Sequence, residues 1–224
     1  MTVLFPKWTN KLPALLALGA AAVGLFVVFV VSFWFSPKHL DVGYQPYQPI
    51  PYSHKLHAGT LGMDCRYCHR NVEHGATASV PDLDTCFGCH KEVKKESVKL
   101  ELLRTAVADE QQNTPVEWVK VHLLPEFAYF NHSIHIAANI GCASCHGRVD
   151  QMEVVRQVEP LSMAWCLECH RDPTEHIRPL DVSVTQMDWQ ATPESVAAAK
   201  KLLDWNGDEA PHLNPPTHCS ACHR

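Results

Sequence analysis

The sequence predicts a mainly α-helical chain with extensive loops and little sheet, tethered by one N-terminal transmembrane helix. Three observations carry this. A run of 24 residues without a charge, Leu12 to Phe35, opens the chain. Five copies of Cys-x-x-Cys-His are spread over the rest. Only 188 residues follow position 36, fewer than forty for each motif. Aliphatic side chains alone make a poor core at that density, so helices and loops are expected to wrap around large bound groups.

The apolar run reads "LPALLALGAAAVGLFVVFVVSFWF". At ~1.5 Å per helical residue it spans a ~30 Å hydrocarbon core with some tilt. Lys7 and Lys11 precede it, which favours a cytoplasmic N-terminus, and Trp8 and Trp34 sit where interfacial aromatics lie. A cleaved signal peptide is the alternative, with "GAAAVG" as a weak cleavage site. The run continues past a signal's roughly 7–15-residue apolar region. Residues 1–36 are therefore expected to be a cytoplasmic tip and an uncleaved anchor in a bacterial cytoplasmic membrane, single-pass, with the remainder on the periplasmic side. Residues 37–51, rich in proline and aromatics, read as an extended linker over a partner or the chain's own domain.

The ten cysteines pair as Cys65/Cys68, Cys86/Cys89, Cys142/Cys145, Cys166/Cys169 and Cys219/Cys222, with His69, His90, His146, His170 and His223 directly after each pair. This is the pattern of covalent c-type haem attachment. Two thiols add across the vinyl groups of a porphyrin, and the adjacent imidazole reaches the iron from one face. Zinc would need two half-sites closing one tetrahedron, and five copies do not pair evenly. A redox dithiol has no reason to carry the same following histidine five times. Disulfides across so few residues would stabilise little. The cofactors expected are five haem c groups, which makes the chain a pentahaem cytochrome c.

An internal repeat organises the outer part. "YSHKLHAGTLGMDCRYCHRNVE" from Tyr52 aligns with "FNHSIHIAANIGCASCHGRVD" from Phe130. Each gives His-x-x-His and then Cys-x-x-Cys-His, followed by a proline (Pro81, Pro160) shortly before a second motif. The expected division is a first dihaem module at 52–121, a second at 122–180, and a C-terminal monohaem segment at 181–224. Helix is expected after Cys89, with Val93, Leu100, Leu103 and Val107 on one face. Another is expected from Pro193 to about Trp205, capped by Thr192 and ending before Gly207.

Each iron has one face filled by its motif histidine and takes one further ligand. His132 and His135 are neighbours on a helical turn, yet one haem has a single open face. Each is therefore expected to serve a different haem, clamping two porphyrins together, with His54 and His57 doing the same in the first module. His122 in "VHLLPEF" ranks next as a distal ligand. His74, His176, His212 and His218 are of second rank, and His39 reads as interfacial. Met152 and Met163, which flank the inter-motif stretch of the second module, are alternative axial ligands.

These stretches resemble the membrane-anchored pentahaem cytochrome subunits of bacterial alternative complex III, a menaquinol-oxidising assembly. The resemblance rests on "PYSHKLHAG", "CRYCHRNVE", "VHLLPEFAYFNHSIH", "GCASCHGRVDQM", "PLSMAWCLECHR" and the closing "CSACHR". The His-x-x-His modules are similar, more distantly, to those of small cytochromes of the c3 type. The resemblance implies a non-catalytic electron conduit. Its partners would be integral quinol-binding subunits, a peripheral iron–sulfur subunit, and a monohaem cytochrome c, copper protein or oxidase as acceptor. It also implies His54, His57, His122, His132 and His135 as distal ligands.

Other classes fit less well. A multihaem reductase enzyme needs an open haem face or an unusual attachment residue, whereas all five motifs end in histidine. A stand-alone, membrane-anchored quinol dehydrogenase shares the single anchor, but its first haem must meet quinol at the membrane surface, and thirty positions separate Phe35 from Cys65. A structural role leaves five redox centres without a use. The formal charge of −5 omits haem propionates and names no partner. No nucleic-acid footprint, phosphate-binding glycine loop or hydrolytic triad is present.

Overall fold

The computed structural model describes residues 6–36, 39, 41–108, 115–203 and 214–223. His212, Trp205, Gly207 and Arg224 lie outside the described residues. The chain divides into two compact units, Met1–Val42 and Gly43–Arg224. Among the described residues it is helical and irregular, as expected, with a single isolated bridge between Ile140 and Ile177 as the only extended pairing.

In the first unit a 3-10 turn, Lys7–Lys11, leads into α1, Leu12–Trp34. Pro13 sits in the first turn of α1, where its missing N–H costs nothing. None of the span is buried, and its mean hydropathy is 2.8. By length and composition it is able to cross a membrane, a test that a signal sequence near an N-terminus also passes. The His39 ring packs on Phe33, with centroids 4.2 Å apart.

The second unit is assembled from short elements. A π-helical turn, Lys55–Thr60, precedes α2, Cys65–Cys68. Then come α3, Leu83–His90; α4, Glu101–Ala108; α5, His132–Ala137; α6, Ala143–His146; α7, Met163–Arg171; α8, Pro193–Leu203; and α9, Cys219–Cys222. Most starts are side-chain capped. Asp64, Asp82, Asn131 and Ser162 accept backbone N–H groups at the heads of α2, α3, α5 and α7. At α8, Thr192 and Ser195 cap each other reciprocally. Thr192 thus caps the expected helix, which runs to Leu203 within the described residues.

The helix expected directly after Cys89 does not form as drawn. Residues 91–96 are turns, Lys94 adopts a left-handed φ of 55°, and α4 begins only at Glu101 after a 3-10 turn from Val98. The carbonyl of Val93 turns back to accept the Nδ1 proton of His90 at 2.9 Å, whereas in a continuing helix it would point toward the C-terminus and away from that ring. Leu103 is nonetheless the most buried side chain, at 1% exposure, while Val93 is exposed.

The linker lies on its own domain. Gly43 donates to the carbonyl of Gln157, Gln157 donates back to that of Tyr44, and Gln48 exchanges two hydrogen bonds with the backbone of Val119. The aliphatic core is small: among the described residues only Ile50, Val72, Leu103, Met152, Val184 and Ala199 are buried hydrophobics.

The two repeats dock on each other reciprocally. Lys55 N–H donates to the Met152 carbonyl, in the loop after the third Cys-x-x-Cys-His. Its repeat counterpart, Ser133, donates to the Gly75 carbonyl in the loop after the first. Equivalent residues making equivalent contacts in both directions is the pattern of a two-fold interface, here built inside one chain. Gly59 belongs to this docking, because a Cβ there would run into the backbone carbonyl oxygen of Asp150. Neither atom is at the end of a flexible side chain. Gly59→Ala is therefore expected to destabilise the unit by ~1–3 kcal/mol, read as a lowered midpoint in denaturant melts with all haems still attached.

Candidate functional site

The ten cysteines are free thiols here, and their sulfurs stand in for the thioether sulfurs of attached haem. The thiols of each motif feel those of another. Cys142 lowers the Cys65 thiol, and Cys65, together with burial, raises that of Cys142. Burial and then the charge of Cys68 push Cys86 up. Burial, then Cys169 and Cys166, push Cys145 up. Burial and then Cys222 do the same to Cys166. These influences link the second motif to the first, the first to the third, the third to the fourth and the fourth to the fifth.

Seven of the histidines are held by outer hydrogen bonds of one kind. The Nδ1 atoms of His69, His90, His170 and His223 donate to the carbonyls of Ser79, Val93, Pro216 and Phe127, at 2.7, 2.9, 2.7 and 2.9 Å. Those of His57, His132 and His135 donate to Ser53, Ala76 and Asn131, at 2.8, 2.7 and 2.7 Å. A carbonyl only accepts, so Nδ1 must carry the ring proton and Nε2 keeps its lone pair. That is the tautomer and the second-shell arrangement of a metal-bound imidazole.

Three ring pairs stand at one spacing. His57 and His90 have centroids 6.2 Å apart, His135 and His170 6.1 Å, and His132 and His146 6.4 Å. Direct ring packing is closer, as for Tyr52 on His57 at 4.5 Å and Phe130 on His135 at 4.5 Å. Two imidazoles bonded to one metal ion at about 2 Å each hold their ring centres roughly 6 Å apart. The residues present thus fit an iron between each pair. His54 is also beside a motif histidine: burial, then the charge of His69, hold its pKa down to about 4. By contrast, no group of three or more His, Cys, Asp or Glu among the described residues is placed to close around a bare metal ion. Zinc-type coordination finds no site there.

A family model for cytochrome c7 and related cytochrome c matches residues 128–224. That stretch holds three of the five motifs, those of Cys142, Cys166 and Cys219, and is similar to this family. A similar protein is the menaquinone reductase, multiheme cytochrome c subunit, of Nitratidesulfovibrio vulgaris, 34% identical over 133 residues. The match covers 58% of this chain and 60% of that protein's length.

The remaining candidates scatter. His122 lies against His146, its Nε2 3.3 Å from the other ring's Nδ1. His74 and His218 are exposed, and His176 is half-buried beside Pro173. The Met152 side chain is in the aliphatic core, at 5% exposure, and Met163 is 66% exposed at the first position of α7. Several contributors are invisible to a motif search. The carbonyls of Ser79, Ala76, Val93, Pro216 and Phe127 are main-chain groups with no residue signature. Tyr52 and Phe130 were discoverable: both occupy the same place in the repeat, and each packs one ring edge-on and the other face-on, against His54 and His57 and against His132 and His135. Arg178 was also missed. It is 3% exposed, donates to the carbonyls of Ser183 and Gln186, lies 5.1 Å over the Trp189 ring, and fills the space a Cβ on Gly141 would need. It fastens the segment after the second module to the third motif.

Proposed function

We propose that this chain is an electron-transfer subunit of a membrane quinol oxidoreductase, with α1 as its anchor, five covalent haem c groups as its cargo, and its haem domain on the periplasmic side. Haem supplies a one-electron iron couple at each centre. The observation carrying the proposal is the set of imidazole pairs, each joining a motif histidine to a second histidine at about the spacing that one shared metal ion imposes. The chain's own contribution is to fix the imidazoles: the proposed axial pairs are His54 with His69, His57 with His90, His132 with His146, and His135 with His170. Carbonyl partners hold most of these rings in place, which keeps reorganisation on electron transfer small. In this reading the electrons come from quinol through iron–sulfur clusters of a partner, as in alternative complex III, and leave to a soluble cytochrome, copper protein or oxidase.

The name of the N. vulgaris relative, a menaquinone reductase subunit, favours a second reading in which electrons run the other way, from a periplasmic donor toward quinone. Native membranes solubilised in mild detergent, separated without denaturation and stained for covalent haem, test the proposal. The expected result is a particle far larger than the 25.1 kDa chain, containing iron–sulfur and multi-spanning subunits. A small particle that takes electrons from quinol by itself overturns it in favour of a stand-alone dehydrogenase. In the large particle, haem reduction by menaquinol supports the first direction, and haem oxidation by menaquinone without reduction by menaquinol supports the second.

A further inference from the structure

Seven of the histidines described above donate Nδ1 to a backbone carbonyl. His146 does not. Its Nδ1 meets the Nε2 of His122 at 3.3 Å, with the rings at 88° and their centroids 4.3 Å apart. On its other side the His132 ring stands at the iron-spanning distance and lies within 6° of the same plane. A motif histidine that binds iron through Nε2 keeps its proton on Nδ1, so His146 donates and His122 accepts. The Nε2 lone pair of His122 is then in use, and its own proton is on Nδ1. A neutral imidazole in that state has no nitrogen left for an iron.

We infer that His122 is a positioning residue for the haem of Cys142, Cys145 and His146, locking the plane of the His146 ring parallel to His132, and that it is not itself an axial ligand. The inference rests on the multihaem reading above. The backbone carbonyl that holds each of the other four motif histidines is replaced here by a side chain.

The relation between ring planes has a direct spectroscopic consequence. Parallel imidazoles both donate into the same iron d orbital, split the pair strongly and give a rhombic low-spin signal. Perpendicular imidazoles leave the pair nearly degenerate and give a highly anisotropic one. The other ring-resolved pairs stand at 69° for His57 and His90 and 43° for His135 and His170, so the pair with His146 is the most rhombic of the three.

The test uses the full-length chain with its haems attached, in wild-type, His122→Ala and His122→Gln forms. Mass spectrometry counts thioether-bound haems, and low-temperature electron paramagnetic resonance reads their ligation. His122→Ala is expected to keep the wild-type haem count and show no high-spin iron, while the most rhombic low-spin signal shifts or broadens. His122→Gln, whose amide oxygen accepts the same proton, is expected to restore that signal and serves as the readout if the alanine form does not fold. A high-spin haem, or one that newly binds carbon monoxide, in either variant overturns the inference by making His122 a ligand. An unchanged spectrum in both overturns it as well. A wild-type chain lacking haem on Cys142 and Cys145 overturns the multihaem reading itself, a result the haem count gives independently of the spectrum.

Discussion

A chain with Cys142 and Cys145 both changed to serine is expected to lose far more than one haem. Of the five motifs this one has links to both modules and to the C-terminal segment. Its first thiol and Cys65 of the other module perturb each other. The Cys142 N–H donates to the Val184 carbonyl at 3.0 Å, bringing in the C-terminal segment. Gly141 beside it is packed under Arg178. Losing the group held here removes the packing partner of both modules at once, in a domain whose aliphatic core cannot compensate. Leu103, the only side chain described as fully buried, belongs to the first module alone. A haem-stained gel and a thermal melt check this. The expected outcome is near-complete loss of folded, haem-bearing protein, whereas Cys219→Ser with Cys222→Ser is expected to remove about one fifth of the stain and leave the rest folded, because that motif stands at the chain's end and is linked to the fourth. Equal and modest losses in the two variants would mean that the modules fold without each other.

His132→Ala and His135→Ala are expected to damage two different haems. The two residues share one turn of α5, yet His132 faces His146 and His135 faces His170, at 6.4 and 6.1 Å between ring centres. Their outer partners differ as well. His135 donates within its own turn to Asn131, and His132 donates across the repeat to Ala76. Removing either ring leaves an iron with five ligands, which turns high-spin and rises in potential as the electron-donating imidazole is lost. The His132 variant is expected to lose the most rhombic low-spin signal, and the His135 variant to keep it. Potentiometric titration followed at the Soret band, with resonance spectra of both variants, separates the cases. If both substitutions strike the same haem, the clamp does not exist.

The proposed clamp comes from the sequence because two conditions met in one short stretch: two imidazoles at helical spacing, and motifs that each leave a single iron face open. The duplication made it firmer, since a surface histidine has no reason to recur in register with a haem motif. The docking of the two repeats was not legible. It depends on main-chain N–H groups of Lys55 and Ser133 finding carbonyls nearly a hundred and nearly sixty positions away, and any residue type supplies those groups. The helix after Cys89 failed for a related reason. Apolar spacing marked the face that Leu103 buries, but the carbonyl of Val93 turns back to the ring of His90 and α4 begins only at Glu101. A backbone carbonyl that turns to a side chain leaves no trace in periodicity.

His122 shows the limit most clearly. Its sequence context, beside a Cys-x-x-Cys-His and ahead of a His-x-x-His, is that of a ligand, and the resemblance implied the same. Only the folded chain brings its Nε2 to the Nδ1 of His146.

Composition and spacing alone pointed to the chemistry: ten thiols in five fixed pairs, each with an adjoining imidazole, form the pattern of covalent haem attachment whatever the fold, because that pattern is local. They determined an apolar helix as well, since length and hydropathy are properties of one segment. Tertiary structure decided which motifs are linked, the pairing of imidazoles across each iron position, and which ring is held by a carbonyl and which by another histidine. Those are contacts between distant segments, set by where carbonyls and sulfurs come to rest once two copies of one module have packed against each other.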